Sequence, residues 1–238
     1  MKIPCKPLKD ILTILDALLV DCVTIVPTDE GWEFYARDGT NCVLAALKLK
    51  REAFGEEVYE KWDPFSISLE FLEDSIDKKD TIELVIEDGF AKVIGEKSKS
   101  KKRLAYLDEA PRILPKIKLE SSVAISSDSL IMLAKEKQFQ GASAAELGLC
   151  IDIDTEGLTM SYETENDSYS ETKDLIMADL PKEAQKSHYD PGLLLPMLKV
   201  LPKGIPVLFS MDTNKPVKMD VNAESYSFVM YVAPRIGE

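Results

Sequence analysis

Three acidic side chains recur at every second residue just before a glycine in the second half of the chain. Asp152, Asp154 and Glu156 lead into Gly157, and a strand places residues i and i+2 on one face. Carboxylates gathered in this way could serve acid–base catalysis or hold a metal ion. The alternative, which we favour, is a solvated strand face. A carboxylate-dependent hydrolase would need these acids to converge in a cleft.

Other residues of catalytic type are few. The single histidine, His188, rules out a multi-histidine metal site, and we expect it in a solvated loop leading to a helix. The sequence contains neither a nucleophile elbow nor a phosphate-binding glycine loop. The four cysteines form no CxxC pair, which favours free thiols in a reducing compartment; they are Cys5, Cys22, Cys42 and Cys150. We expect no catalysis, no metal and no cofactor, in an intracellular protein.

Composition sets the frame in which these residues sit. The 238 residues are 45% hydrophobic, which suffices for one large domain or for two of about a hundred residues each. A net charge of -13 should repel nucleic acid on average, so any DNA contact needs a local concentration of lysine and arginine. No apolar run has the length of a membrane span, and the first residues lack the apolar stretch of a signal peptide.

The first half of the chain is predicted to hold two helices among several strands. Apolar residues at helical spacing predict a helix over 7–19. Asp63-Pro64 has the pattern of an N-cap followed by a first-turn proline, and predicts a second helix over 63–76. Alternating or apolar runs and the turn Asp88-Gly89 predict strands over 22–26, 32–36, 42–49, 81–86, 90–94 and 97–107.

The second half repeats this order. Strands are predicted over 123–126, 149–153, 158–162 and 168–176, with helices over 128–137 and from Asp190-Pro191 to 203, and closing strands up to 232. A Glu-Gly turn precedes an Asp-Pro pair by similar distances in both halves (Gly31 to Pro64, Gly157 to Pro191). These matches indicate an internal duplication. We therefore predict an α+β fold of two similar domains, each a strand-rich sheet with two helices on one side.

A connector joins the two halves. Pro111 and Pro115 remove backbone donors and disfavour helix, so residues 107–119 should run extended between domains 1–106 and 120–238. The connector also carries Ile113, Leu114 and Ile117. These apolar residues either fold back onto the body or offer a surface that a partner can hold.

Together these features resemble a known family. The ending Tyr-Val-Ala-Pro-Arg-Ile at 231–236, the Glu-Gly hairpins, the helix PLKDILTILDALL and the proline-bearing connector are similar to a DNA sliding clamp of the proliferating cell nuclear antigen (PCNA) family in its short archaeal form. The resemblance implies a homotrimeric, pseudo-six-fold ring with helices around the bore. Such a ring encircles duplex DNA and tethers DNA polymerase, flap nuclease, ligase and the clamp loader. The protein would be cytoplasmic if archaeal and nuclear if eukaryotic.

The resemblance also implies a pocket for short partner peptides. Partners of this family insert apolar and aromatic anchors between the connector and the C-terminal tail. The matching residues here are Ile113, Leu114, Pro115, Tyr231, Ala233, Pro234 and Ile236, with the loop from Arg37 to Cys42 at the side. The alternative is that the last strand and tail only complete the second domain.

The helix faces expected to line the bore depart from the family pattern. Suitable DNA-facing cations are Lys9, Lys78, Lys79, Lys135, Lys137, Lys199 and Lys203. Acids occupy neighbouring positions that should also point inward, namely Asp10, Asp16, Glu70 and Glu73. We therefore expect a weak grip on DNA, with retention supplied by the closed ring.

Two charged runs fall where the family joins its subunits. Basic residues alternate in the first half (Lys97, Lys99, Lys101, Arg103), and acidic residues alternate in the second (Glu163, Glu165, Asp167, Glu171). Opposite charges on two edge strands would favour head-to-tail association. A solvated charge run or a DNA patch is the alternative for the basic run. For the whole chain, the alternatives are a subunit of a heterotrimeric or checkpoint-type clamp and the hydrolase named above.

Overall fold

The computed structural model describes residues 2–55, 62–76, 80–94, 99–106, 114–179 and 183–236, and the chain divides into two compact units. Unit 1 is Met1–Leu114 with Ala223–Phe228, and unit 2 is Pro115–Asn222 with Val229–Glu238. The division between Leu114 and Pro115 falls inside the segment that the sequence marks as a connector.

Among its described residues, unit 1 contains two antiparallel groups of strands and two helices that pack side by side. Its strands pair in the orders β1-β6-β7-β8 and β4-β3-β2-β5-β9. The elements are β1 (Lys2–Pro4), α1 (Cys5–Asp16), β2 (Cys22–Thr28), β3 (Gly31–Arg37), β4 (Val43–Lys50), a 3₁₀ turn (Arg51–Phe54), β5 (Phe65–Ser68), α2 (Leu69–Ile76), β6 (Thr81–Glu87), β7 (Phe90–Ile94), β8 (Lys99–Arg103) and β9 (Ala105–Tyr106).

Unit 2 has the same plan. Its strands pair in the orders β13-β12-β11-β15 and β14-β10-β16-β17, and its two helices also pack together. The elements are β10 (Ser121–Ser126), α3 (Ser127–Lys135), a 3₁₀ segment (Lys137–Ala144), β11 (Leu149–Ile153), β12 (Leu158–Glu163), β13 (Ser168–Lys173), β14 (Met177–Asp179), β15 (Gln185–Tyr189), α4 (Pro191–Lys199), β16 (Pro206–Met211) and β17 (Val217–Asn222). The last strand, β18, is Tyr226–Val232.

The predicted duplication and α+β class are confirmed by this recurrence, and two glycines show it at atomic detail. Gly31 and Gly157 each open the second strand of a hairpin, with φ of 129° and 150°. A Cβ on Gly31 would lie 2.0 Å from the carbonyl oxygen of Leu49, and one on Gly157 would lie 2.5 Å from that of Lys173. In both units a glycine is thus required where a third strand crosses closely.

The first helix forms because its apolar residues fall on one face. Leu8, Ile11, Leu12 and Leu15 are all at most 2% exposed, as the periodicity predicts. The helix begins two residues earlier than predicted and ends at Asp16. Burial of this face against the unit is its main stabilisation, since a helix of this length is marginal alone.

The prediction that Asp63-Pro64 starts a helix is wrong. Phe65 and Ile67 are buried on one side of a short strand paired with β2, and α2 begins only after Ser68. The hydroxyl of Ser68 accepts a hydrogen bond from the Phe71 N–H at 3.4 Å. The corresponding prediction in unit 2 is confirmed, because Asp190 caps α4 by accepting from the Gly192 N–H at 2.7 Å.

Two predicted strands differ in extent. The strand predicted over 97–107 is interrupted at the buried Leu104, which separates β8 from β9. The strand predicted over 168–176 ends at Lys173. The hairpin predicted through Asp88-Gly89 is confirmed, with both turn residues at positive φ.

We predict that Gly157→Ala destabilises the protein by about 3 kcal/mol, because the new methyl group meets a backbone carbonyl that cannot move aside. The melting temperature should fall by about 6–12 °C in a calorimetric scan. Gly204→Ala is the matched control, since Gly204 also has positive φ (74°) but has no atom within 4 Å of the added carbon. It should cost only about 1–2 kcal/mol. Equal losses in the two variants would contradict the close approach.

Candidate partner and DNA interfaces

The C-terminal tail leaves the last strand and is fixed at one point in unit 2. Tyr231 and Val232 are buried, whereas Ala233 and Pro234 are half-exposed. The Arg235 N–H donates to the carbonyl of His188 at 2.7 Å and forms a β-bridge with β15. Its guanidinium lies 3.8 Å from the Asp190 carboxylate.

Beyond that bridge the tail presents an apolar side chain. Ile236 is 73% exposed. An exposed isoleucine on a segment fixed by its neighbour offers a partner an apolar contact that is held in place in advance.

The prediction that His188 is a solvated loop residue is wrong. It lies in β15, opposite Cys150 of β11, and is half-buried. Burial and the nearby Lys186 lower its pKa. His188 therefore provides backbone pairing for the tail. Sequence alone missed the strand because it has only five residues, Gln185–Tyr189, and most of them are polar.

The described part of the connector, Leu114 to Leu119, has no regular secondary structure. Leu114 and Pro115 are half-buried, and Ile113 lies outside the described residues. The connector ends in a defined contact within unit 2. Asp212, at the end of β16, accepts hydrogen bonds from the N–H groups of Glu120, at 3.1 and 3.2 Å, and Ser121, at 3.2 Å.

The charge of Asp212 is stabilised at this position. Burial opposes ionisation, but the hydrogen bond from the Lys215 ammonium at 2.9 Å and those from the two backbone N–H groups outweigh it. These contacts hold the pKa of Asp212 below its usual value. The carboxylate therefore anchors the end of the connector to the turn after β16.

A second aspartate orders the loop from Arg37 to Cys42 in unit 1. Asp38 is 6% exposed and accepts from the N–H groups of Thr40 at 3.0 Å and Val43 at 2.7 Å, and from the Thr40 hydroxyl. Burial opposes its charge, but these hydrogen bonds prevail and lower its pKa. Arg37 is exposed and Cys42 is half-exposed on the ordered loop.

The helices present the predicted cations unevenly. Lys135, Lys137, Lys199 and Lys203, all in unit 2, are exposed, and Lys9 in unit 1 is half-buried. Lys78 and Lys79 lie outside the described residues. On α4 the exposed Gly192 and Lys199 share a side with the half-exposed Pro196, which places the proline towards solvent.

The two charged runs lie at or near the edges of separate sheets. β8 is the last strand of its sheet, and Lys99, Lys101 and Arg103 are exposed on it. The Lys101 ammonium sits 3.7 Å from the centre of the Phe90 ring. Lys97 lies outside the described residues.

The acidic run is centred on a turn. β13 is the last strand of the β13-β12-β11-β15 sheet, but Glu171 alone of the four acids lies in it. Glu171 is half-buried, accepts from the Tyr169 hydroxyl at 2.8 Å and pairs with Lys173. Glu163 ends β12, and Glu165 and Asp167 lie in the turn that leads into β13. The exposed negative charge thus lies at one end of this edge.

The carboxylates considered for catalysis do not converge. Asp152 lies in β11, while Asp154 and Glu156 lie in the following turn, where Asp154 accepts from the Glu156 N–H at 2.8 Å. The β13-β12-β11-β15 sheet has a cleft of about 630 Å³ on one face, and the buried Ile151 lies on the other face. None of the three acids lines this cleft. Burial, with repulsion from Asp154, raises the pKa of Asp152. The geometry therefore gives the hydrolase alternative no support.

Comparison with solved structures gives matches over the whole chain. PCNA of A. fulgidus, in a structure with the C-terminal region of FEN-1 bound, has a TM-score of 0.83 at 20% identity, and the match covers 100% of this chain and 98% of that chain. PCNA of Thermococcus kodakaraensis has a TM-score of 0.82 at 16% identity, with 99% of each chain covered. This chain has the PCNA fold. The PCNA2-PCNA3 complex of Sulfolobus tokodaii matches with a TM-score of 0.79 at 14% identity, covering 98% of each chain.

Sequence comparison alone does not reach these PCNA structures. No family model matches the chain, and no curated protein matches it. This chain therefore has the PCNA fold although only 14–20% of its residues are identical to those of the matched structures.

Two features are absent from the residues that the structure describes. Within them, no group of three or more histidine, cysteine, aspartate or glutamate side chains is arranged to hold a metal ion. None of the helices they form is long and apolar enough to cross a membrane.

We predict that Asp212→Asn lowers the free energy of unfolding by about 1–2 kcal/mol at neutral pH, because the amide cannot accept all the hydrogen bonds that the carboxylate accepts. The folded-state pKa of Asp212 is depressed, so its contribution is present above the unfolded-state pKa and is lost as the pH falls through the folded-state value. The difference between the two proteins in urea unfolding should therefore shrink below about pH 4. Asp220→Asn, which removes a half-exposed carboxylate 3.2 Å from Lys218, should cost less than about 0.5 kcal/mol. A pH-independent difference would contradict the role of the charge.

Proposed function

We propose that this protein is a DNA sliding clamp of the PCNA family, a non-catalytic processivity factor that encircles duplex DNA. The observation that carries the proposal is the match of the whole chain to PCNA structures, at TM-scores of 0.79–0.83 with at least 98% of each chain covered. The proposal divides the chain into domains 1–106 and 120–238 with the connector 107–119 between them. It also implies an intracellular location, cytoplasmic in an archaeon and nuclear in a eukaryote.

The direct test is DNA synthesis on a primed circular template. A polymerase from the same source should make longer products in each binding event when the protein and its clamp loader are added. The same polymerase without the clamp loader is the control, because a closed ring cannot reach an uninterrupted circle unaided. Products of unchanged length, with the loader active on another clamp, would contradict the proposal.

Partners are proposed to bind through short peptides at the tail and connector. One PCNA match is a complex with the C-terminal region of FEN-1. In this chain the described candidates are Arg37, Cys42, Leu114, Pro115, Tyr231, Ala233, Pro234 and Ile236. The ordered loop at Asp38, the anchored connector end at Asp212 and the bridged tail at Arg235 support the proposal, because prior ordering lowers the entropic cost of binding. Polymerase, flap nuclease, ligase and clamp loader are the proposed partners.

We predict that Ile236→Ala weakens binding of a fluorescent flap-nuclease peptide by about tenfold, because most of an apolar side chain is removed from the contact. Fluorescence anisotropy measures the dissociation constant. Met132→Ala, which truncates a 56% exposed apolar residue on α3, is the control and should leave the affinity unchanged. An unchanged affinity for the Ile236 variant would remove the tail's end from the site.

Ring closure is proposed to join β8 of one copy to β13 of the next. Each is the outermost strand of its sheet among the described residues, so each presents backbone groups that another strand can pair with. Lys97, Lys99, Lys101 and Arg103 would meet the acidic end formed by Glu163, Glu165 and Asp167, with Glu171 on the strand itself. Because the two edges carry opposite charges, β8 of one copy is disfavoured from pairing with β8 of another, and β13 with β13.

We predict that Lys101→Glu raises the concentration at which the assembly dissociates by about tenfold, because a favourable charge becomes an unfavourable one at each joint. Lys102→Glu, on the opposite face of the same strand, is the control. Sedimentation measures both, together with a salt series on the wild type, whose assembly should weaken as salt rises. A trimer insensitive to high salt and to both substitutions would contradict an electrostatically assisted joint.

A heterotrimer is the second candidate, and the match to the Sulfolobus tokodaii PCNA2-PCNA3 complex favours considering it. The mass of the protein expressed alone separates the two. A homotrimer has three times the 26.6 kDa of one chain, about 80 kDa. An obligate hetero-subunit should not close a ring without its partners.

A further inference from the structure

The two helices of unit 1, which pack side by side, both carry carboxylates. Asp16 ends α1, and Glu70, Glu73 and Asp74 lie on α2, which packs beside α1. Burial, and then repulsion from Asp16, Asp74 and Glu70, raise the pKa of Glu73. None of the four has a cationic partner within salt-bridge distance among the described residues.

Lysines on the same unit offset these carboxylates little. Lys9 is half-buried and shares a small recess of about 270 Å³ with Lys6, Asp10 and Asp80. Each cation there has an acidic neighbour. The recess is therefore close to neutral, and α1 and α2 together expose more acid than base.

The helices of unit 2 have the opposite character. Lys135 ends α3, Lys199 ends α4 and Lys203 follows it, and all three are exposed. Within the described residues none of these lysines pairs with a carboxylate. Asp128 is an exposed acid in the first turn of α3, and its carboxylate accepts a hydrogen bond from the Gly204 N–H at 3.2 Å.

We propose that the DNA-contacting surface of this chain is confined to the helices of unit 2, and that the carboxylates of unit 1 hold the duplex away from α1 and α2. This inference rests on the proposed function, in which the protein encircles duplex DNA. Lys135, Lys199 and Lys203 are the phosphate contacts, whereas the half-buried Lys9, which the sequence predicted as a DNA-facing cation, is not one. Asp16, Glu70, Glu73 and Asp74 are a repulsive surface.

The physical basis is the short range of charge interactions in salt. The Debye length is about 8 Å at physiological ionic strength, so a phosphate responds to the helix surface it faces and little to the net charge of -13. Each phosphate contact changes affinity by roughly threefold between 50 and 200 mM salt. A few lysines on unit 2, opposed by acids on unit 1, therefore give a low affinity for DNA, and the contacts that form are those of the unit 2 helices.

The experiment compares four variants of the full chain, with anisotropy of a short fluorescent duplex at low and physiological salt. The first removes the repulsion with Asp16→Asn, Glu70→Gln, Glu73→Gln and Asp74→Asn. Its control changes the net charge equally, at exposed acids off the helices, with Asp63→Asn, Glu83→Gln, Glu156→Gln and Glu224→Gln. The third carries Lys135→Glu and Lys199→Glu, and the fourth carries Lys6→Glu and Lys9→Glu.

The first variant should bind duplex at least about threefold more tightly than the wild type, and its control should stay within about twofold. The third should bind about tenfold more weakly, and the fourth should stay within about twofold. Equal gains in the first two variants would reduce the effect to net charge and overturn the inference. Equal losses in the last two would place unit 1 in contact with DNA and would also overturn it.

Failure of the proposed function gives a different result. A wild-type protein that forms no ring and does not lengthen polymerase products overturns both proposals. Suppose instead that the wild-type protein forms a ring and lengthens the polymerase products, but the variants show no difference between the two units. That result overturns only the confinement of DNA contacts to unit 2. Sedimentation of every variant confirms that its assembly is intact, so that a change in affinity reports the helix surface.

Discussion

Unpaired strand edges are the constraint around which this structure is built. An edge strand presents a row of backbone N–H and C=O groups that another chain can pair with. The β13-β12-β11-β15 sheet is met at β15 by the tail, through the bridge between His188 and Arg235. Among the described residues no strand covers the outer side of β13 or of β8. A chain with two such edges of different character is suited to joining copies head to tail.

Under the proposed function, charge and backbone pairing serve different purposes. A tight grip on DNA would slow sliding, whereas a closed ring is retained without any affinity. The exposed acids on α1 and α2 are therefore compatible with the proposed function. Buried aspartates serve a different purpose. Asp38 and Asp212 each collect backbone N–H groups and fix the segments proposed to receive partner peptides.

Much of the fold follows from local patterns in the sequence. The apolar face of α1 and the hairpin turn at Asp88-Gly89 depend on neighbouring residues, so both can be predicted from the sequence. The glycines at 31 and 157 mark turns in the sequence, but the strands that approach them closely are not local. The strand at 65–68 could not be separated from the helix after it, because four residues are too few to fix a period. Asp63-Pro64 fits a helix start equally well, and only the pairing with β2 excludes that role.

The candidate site was predictable in part for the same reason. The tail and connector are visible as prolines and apolar residues, and the charged runs are visible as alternation. The contacts that position them are not local. Asp212 reaches Ser121 across 91 residues, and the tail reaches His188 across 47. No spacing rule links such pairs, and the polar strand that holds His188 lacks the apolar alternation that marks a half-buried strand.

In the proposed function, the protein stays on DNA because it encloses the duplex. The most direct measurement loads the protein onto nicked circular DNA with its clamp loader, and then follows its retention before and after a restriction enzyme linearises the circle. The account predicts stable retention on the circle at physiological salt and rapid loss from the free ends once the DNA is linear. Retention that is unaffected by linearisation would show that affinity holds the protein in place, and would contradict the account.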